Sequence, residues 1–182
     1  MAEAEAHSFP LVIMVPMINQ DIIIYFLNYN NIRYMSNELS NFDIINLIKD
    51  YKIDYCFGGV FSKDQLPKDL MRTKFYIINM ESSNVGNGSH WVTFYYNKPL
   101  TSIYFDSFGF VAPLQVENRI NPYIFNDADV QDYNSSACGY FCIAFIKFLH
   151  SKQDKQEAYK SFLKLFKNET VKNDKILQRL LY

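Results

Sequence analysis

The chain has 182 residues, a net charge of −1, and 49% hydrophobic and 17% aromatic residues. Such a chain can bury a core as one domain, and its composition excludes disorder, Gly/Pro-rich low complexity and a uniformly basic nucleic-acid binder. Three scattered cysteines, Cys56, Cys138 and Cys142, point to a reducing compartment rather than a disulfide scaffold.

Residues 1–20 read as an arm. It opens Met-Ala-Glu-Ala-Glu-Ala, acidic where a secretory signal is basic, so the reading is of a non-secreted protein. The apolar run over 9–27 is broken by Pro10, Pro16 and Asn19-Gln20-Asp21, which does not suit a membrane span; it reads as an extended arm leading into a core segment. The spacing of Phe42, Ile45 and Ile48 predicts a helix over 41–51, with Asn41 as its cap and Asp43 in its first turn. Residues 56–67 read as loop because of Gly58-Gly59 and Pro67. Residues 75–80 form a short β-rich run, followed by a Gly/Asn/Ser loop over 81–89. Aromatic and β-branched residues predict strands over 91–96 and 102–105, joined by an Asn97-Lys98-Pro99 turn, and a buried strand over 123–125. Residues 138–150 predict a strongly apolar helix, and the tail over 151–182 one or two more. The order predicts an α+β domain, a mixed or antiparallel sheet packed against helices. Between Lys147 and Arg179 nine basic residues face four acidic ones, so this stretch is either a solvated face or a contact for DNA or another polyanion.

Three histidines are available for chemistry. His7 lies in the acidic arm, and His150 ends a helix, where a cation suits the dipole. His90 stands between a loop and a strand. If strands 91–96 and 101–105 form a hairpin about Lys98, His90 and Asp106 are cross-strand neighbours, and the carboxylate can orient the imidazole and stabilise its charged form. A surface pair of little consequence is the alternative. Cys138 follows a small-residue loop and opens the apolar helix, where the helix N-terminus favours thiolate. Gly139 removes bulk beside the thiol and leaves room for a substrate. Cys142, one turn on, reads as a buried small hydrophobe, and Cys56 has no role. The cysteines and histidines lack zinc-ligand spacing, so no metal is expected. Gln131 precedes Cys138 by seven residues and carries an amide that can donate to an oxyanion.

The segments Gly88-Ser89-His90-Trp91-Val92-Thr93-Phe94, Tyr104-Phe105-Asp106-Ser107-Phe108-Gly109-Phe110, and Val130-Gln131-Asp132-Tyr133-Asn134-Ser135-Ser136-Ala137-Cys138-Gly139-Tyr140-Phe141-Cys142 resemble the adenovirus maturation protease (adenain) family. The order His, acidic residue, Gln, Cys-Gly is that of the wider clan of ubiquitin-like-protein proteases. The compact size is similar to the maturation proteases of virophages and polinton-type DNA viruses. The resemblance covers about residues 75–149. It implies a His90–Asp106–Cys138 triad, Gln131 in the oxyanion hole, and a sheet packed on the helix that begins at Cys138. Trp91 matches an aromatic that borders a narrow channel for Gly-containing substrates; plain core packing is its other reading.

There are departures. Adenain has Glu where this chain has Asp106, as the cellular deconjugating proteases do. The seven-residue Gln-to-Cys spacing instead matches the adenovirus branch. The family's cysteine for an activating peptide falls at Ile120, so any peptide activation here is noncovalent. The resemblance implies a monomeric, cofactor-free cysteine endopeptidase that cleaves viral capsid precursor proteins in the virion or the infected cell, with no membrane partner. A deconjugase acting on ubiquitin-like proteins and an inactive capsid- or nucleic-acid-binding homologue are the alternatives.

Overall fold

The computed structural model describes residues 38–86 and 89–182. The arm, its apolar continuation, His7 and Gly88 therefore lie outside the described residues. The fold is α+β, and the described residues form a mixed, open five-stranded sheet and five α-helices.

Helix α1 (Asn41–Asp50) buries Ile44 and Ile48, one turn apart. Its cap is Ser40, one residue before the expected Asn41. The Ser40 hydroxyl accepts from the Asp43 N–H, and the Asp43 carboxylate accepts from the Ser40 N–H at 2.9 Å, so the two close a capping box.

Strand β1 (Phe57–Ser62) occupies the stretch read as loop, and pairs parallel to β2 (Lys74–Asn79). The two glycines mark an irregularity inside this strand, not a turn. The register shifts between Phe57 and Gly59, Gly59 takes φ +134°, and a Cβ on Gly58 would strike the Tyr76 ring.

Strand β3 (Trp91–Tyr96) pairs antiparallel with β2 and with β4 (Ser102–Phe105), within the expected bounds. Helix α2 (Leu114–Ile120) was not expected. It leads to β5 (Tyr123–Ile124), an edge strand parallel to β4 that is half-buried rather than buried.

Alternation along β2–β4 sends side chains to two cores. Tyr76, Ile78, Val92, Phe94 and Tyr104 face Val116 and Ile120 of α2. Phe75, Ile77, Trp91, Tyr95, Ile103 and Phe105 face the remaining helices. Chief among these is α3 (Cys138–Leu149), buried nearly all round, whose Phe145 ring stacks on Phe105 at 5.3 Å. Helices α4 (Lys155–Leu163) and α5 (Asn173–Leu181) pack outside α3 and form the tail, with a 3₁₀ turn, Thr170–Lys172, before α5. The sheet thus lies between α2 and α3, and the N-terminus of α3 brings Cys138 to the cavity that β3 opens with His90. Among the described residues no helix is long and apolar enough to cross a membrane.

Candidate active site

His90 and Asp106 are not register partners. The β3–β4 pairing runs Thr93 to Phe105 and Tyr95 to Ile103, which continues to His90 opposite Phe108, two residues beyond Asp106. A two-residue offset keeps every side chain on its own face, whereas a one-residue slip would reverse them. The His90 ring accordingly stacks on Phe108, with centroids 4.7 Å apart. The Asp106 side chain still reaches back, and His90 Nε2 donates to Asp106 Oδ1 at 2.8 Å.

A tight turn presents that carboxylate. The Gly109 N–H donates to the Asp106 carbonyl at 2.9 Å, and the Phe108 N–H donates to Asp106 Oδ1 at 2.8 Å. Gly109 has φ +76°, and a Cβ there would lie 2.7 Å from the Ala128 backbone. Only glycine suits both the turn and the close approach. Asn126 clamps the same residue, accepting from the Asp106 N–H at 3.2 Å and donating to the Asp106 carbonyl at 2.5 Å. Tyr159 of α4 locks Asn126 in turn, its single hydroxyl hydrogen shared between Asn126 Oδ1 at 3.1 Å and the Tyr104 carbonyl at 3.0 Å.

Asp106 is fully buried, while the His90 side chain is 14% exposed. Asp106 Oδ2 has no hydrogen-bond partner among the described residues. Burial of His90 opposes its charged form. Hydrogen bonds to Asp106 and Cys138, with the negative charge on both partners, outweigh it and hold the imidazole pKa up at about 9. With Nε2 on Asp106, Nδ1 is the ring nitrogen left to serve Cys138.

Cys138 is half-buried at the first position of α3, and the three cysteines are free thiols. Cys142, one turn on, is 1% exposed, and burial pushes its thiol well above the usual range. Cys56 is buried too and donates to the Ile53 carbonyl; burial raises its pKa.

Gln131 is fully buried at the foot of the loop before α3. Its backbone N–H donates to the Ser107 carbonyl at 3.0 Å. Its Oε1 accepts from the Ser107 hydroxyl at 2.7 Å, and its Nε2 donates to the Ser135 carbonyl at 2.5 Å. Among the described residues that leaves one Nε2 hydrogen uncommitted. Helix α5 braces this loop. Asn173 Nδ2 donates to the Val130 carbonyl at 2.9 Å, and the Ser135 hydroxyl donates to Asp174 at 3.4 Å.

His90, Gln131, Cys138 and Trp91 line one cavity of about 350 Å³. Trp91 is also part of the core, and its indole N–H donates to the Leu39 carbonyl at 2.8 Å. Gly139 does not line the cavity, contrary to the expectation of space left for a substrate. A Cβ there would lie 3.0 Å from Leu39 Cδ1, so the missing side chain admits Leu39, which itself forms part of the wall. His150 also departs from expectation. It ends α3, but burial and then the nearby Lys155 charge lower its pKa, which disfavours the cation expected there, and its Nδ1 lies 2.5 Å from the Tyr55 hydroxyl.

Sequence reasoning missed Phe108, Tyr133 and Leu39 on the cavity wall, and Asn126, Tyr159 and Asn173 behind it. Phe108 and Tyr133 lie within the quoted motifs; the other four carry no local signal, because their contacts are long-range. Among the described residues no group of three or more His, Cys, Asp or Glu is arranged to hold a metal ion. In comparison with known proteins, the chain matches no family model and no curated protein.

Proposed function

We propose that this protein is a cysteine endopeptidase of the adenovirus maturation-protease type, which cleaves viral capsid precursors after Gly-containing sequences. The observation that carries this reading is His90 held between buried Asp106 and Cys138, in a cavity that Gln131 also lines. The reading takes the α+β fold as that of the ubiquitin-like-protein protease clan, the chain as a monomer acting in the virion or infected cell, and the basic tail as a contact for DNA.

His90 takes the Cys138 proton and the two form an ion pair. The Cys138 sulfur attacks the scissile carbonyl carbon, and the uncommitted Gln131 N–H with backbone N–H groups stabilises the oxyanion. The oxyanion collapses to a thioester as the C–N bond breaks, and His90 gives its proton to the departing amine. Water then attacks the thioester, His90 takes one of its protons, and the acyl half leaves as a carboxylic acid with Cys138 regenerated. Trp91 and Leu39 narrow the acyl side of the cavity, which favours glycine before the bond, where no Cβ intervenes.

The test is kcat/KM for short peptides carrying an apolar residue a few positions before a Gly-X bond, measured against ubiquitin-like fusions ending in Gly-Gly. Peptides cleaved as well as fusions support a maturation protease, which reads an extended segment. A fusion preferred by orders of magnitude turns the reading to a deconjugase, and no cleavage of either overturns both.

A further inference from the structure

The departing amine takes its proton from His90, so the chain beyond the scissile bond leaves the cavity along the His90 side. That side is a stack of three rings. Phe108 lies on His90 with centroids 4.7 Å apart, and Tyr133 lies on Phe108 at 5.2 Å with the planes within 9° of parallel. All three line the catalytic cavity. Phe108 is half-buried, and Tyr133, at the outer end, is 69% exposed.

The loop that carries the outer ring is held in place, and the ring rests on Phe108. Tyr133 sits in the loop fixed by the Ser135 N–H to the Asp132 carbonyl at 2.9 Å, the Asn134 N–H to Asp132 Oδ1 at 2.8 Å, and Gln131 at its foot. An exposed aromatic ring fixed in advance offers a partner contact area at small entropic cost. Each stacking step exceeds the rise of one extended residue, about 3.3 Å, so the wall reaches beyond the first residue after the bond.

Resting on the cysteine-peptidase reading, we infer that Phe108 and Tyr133 form a leaving-side subsite, which selects peptides bearing an aromatic or long apolar side chain within the two residues after the scissile bond.

The experiment uses peptides with one common acyl half ending in glycine, differing only in those two residues: Phe, Leu, Ala or Asp. An ester of the same acyl half, with no leaving-side residues, is run alongside. Wild-type protein should favour Phe over Ala by about tenfold in kcat/KM, a ratio in keeping with one aromatic contact and its buried area. Tyr133→Phe should keep that ratio, and Tyr133→Ala, at an exposed position, should reduce it to within about twofold. Equal cleavage of all four peptides, or an undiminished preference in Tyr133→Ala, overturns the subsite. Ester hydrolysis with no leaving-side preference removes the subsite and leaves the peptidase standing; failure to cleave ester and peptides alike removes both.

Discussion

His90 Nε2 donates to Oδ1 of Asp106 at 2.8 Å, and the two residues sit in different media: the carboxylate is fully buried, and the imidazole touches solvent at the cavity. Oδ2 has no hydrogen-bond partner among the described residues, so the carboxylate is met on Oδ1 alone, by His90 and the Phe108 N–H. The pair is therefore a stability element and, in the proposed reading, a catalytic one.

The His90 pKa of about 9 gives a pH prediction with a defined sign. The folded value lies above the ordinary 6.5, so the stabilisation is fully present below about pH 6.5 and is lost as pH rises through about 9. Denaturant unfolding at pH 6 and pH 10 should differ by roughly 3 kcal/mol from this group. Activity should fall through the same alkaline window, as the leaving group loses its acid. An NMR titration of His90 should show a midpoint near 9 that drops in Cys138→Ala and in Asp106→Asn. A midpoint at or below 6.5 in the wild-type protein would contradict the arrangement.

Asp106→Asn should lower kcat yet leave measurable turnover, because the amide oxygen can still accept from His90 and from the Phe108 N–H. The new amide N–H₂ would enter the place of an unpartnered oxygen and cost about 1–3 kcal/mol of stability. His90→Ala removes base and acid together and should fall much further, by the hundredfold or more typical of a lost general base. Steady-state kinetics of the two variants decide this, and equal tolerance would break the assignment.

Tyr159→Phe tests the frame behind the acid. The hydroxyl ties α4 to Asn126, which grips Asp106 on both its N–H and its carbonyl. Its loss should cost about 1–2 kcal/mol of stability. It should lower kcat several-fold with KM unchanged, and should shift the alkaline limb of the pH profile as Asp106 loosens. A variant that loses stability alone would reduce Tyr159 to a packing residue.

The basic tail gives a salt-dependent prediction. Lys160, Lys164, Lys167, Lys172, Lys175 and Arg179 are exposed on and around α4 and α5. Binding of duplex DNA should weaken steeply with salt as counterions are released on neutralising phosphates. Fluorescence anisotropy across a salt series checks it. No binding at low salt would leave the tail as a solvated face.

Where the sequence was legible, local pattern and packing agreed. The aromatic and β-branched runs at β3 and β4 and the apolar run opening at Cys138 carry their signals within a few residues. What escaped was set by distance. Strand β1 carries two glycines and pairs parallel to β2 across a long connection, so nothing local marks Gly58 and Gly59 as strand. Helix α2 buries only Val116 and Ile120, too few positions for a periodicity. The space beside Gly139 belongs to Leu39, a hundred residues earlier in the chain. The hairpin register was two residues out, yet His90 and Asp106 meet, because an even offset preserves the faces and the turn at Gly109 aims the carboxylate back.

The central claim is that Cys138 is the nucleophile, and covalent trapping tests it most directly. The intact protein is treated with a short peptide whose terminal glycine carries a thiol-reactive electrophile, and the adduct is weighed and located by mass spectrometry. The expected result is one adduct, on Cys138, formed at least a hundredfold more slowly in His90→Ala and absent in Cys138→Ala. Cys56→Ala and Cys142→Ala should label normally, since both thiols are buried with raised pKa values. Labelling of Cys56 or Cys142 in preference to Cys138, or labelling indifferent to His90, would contradict it.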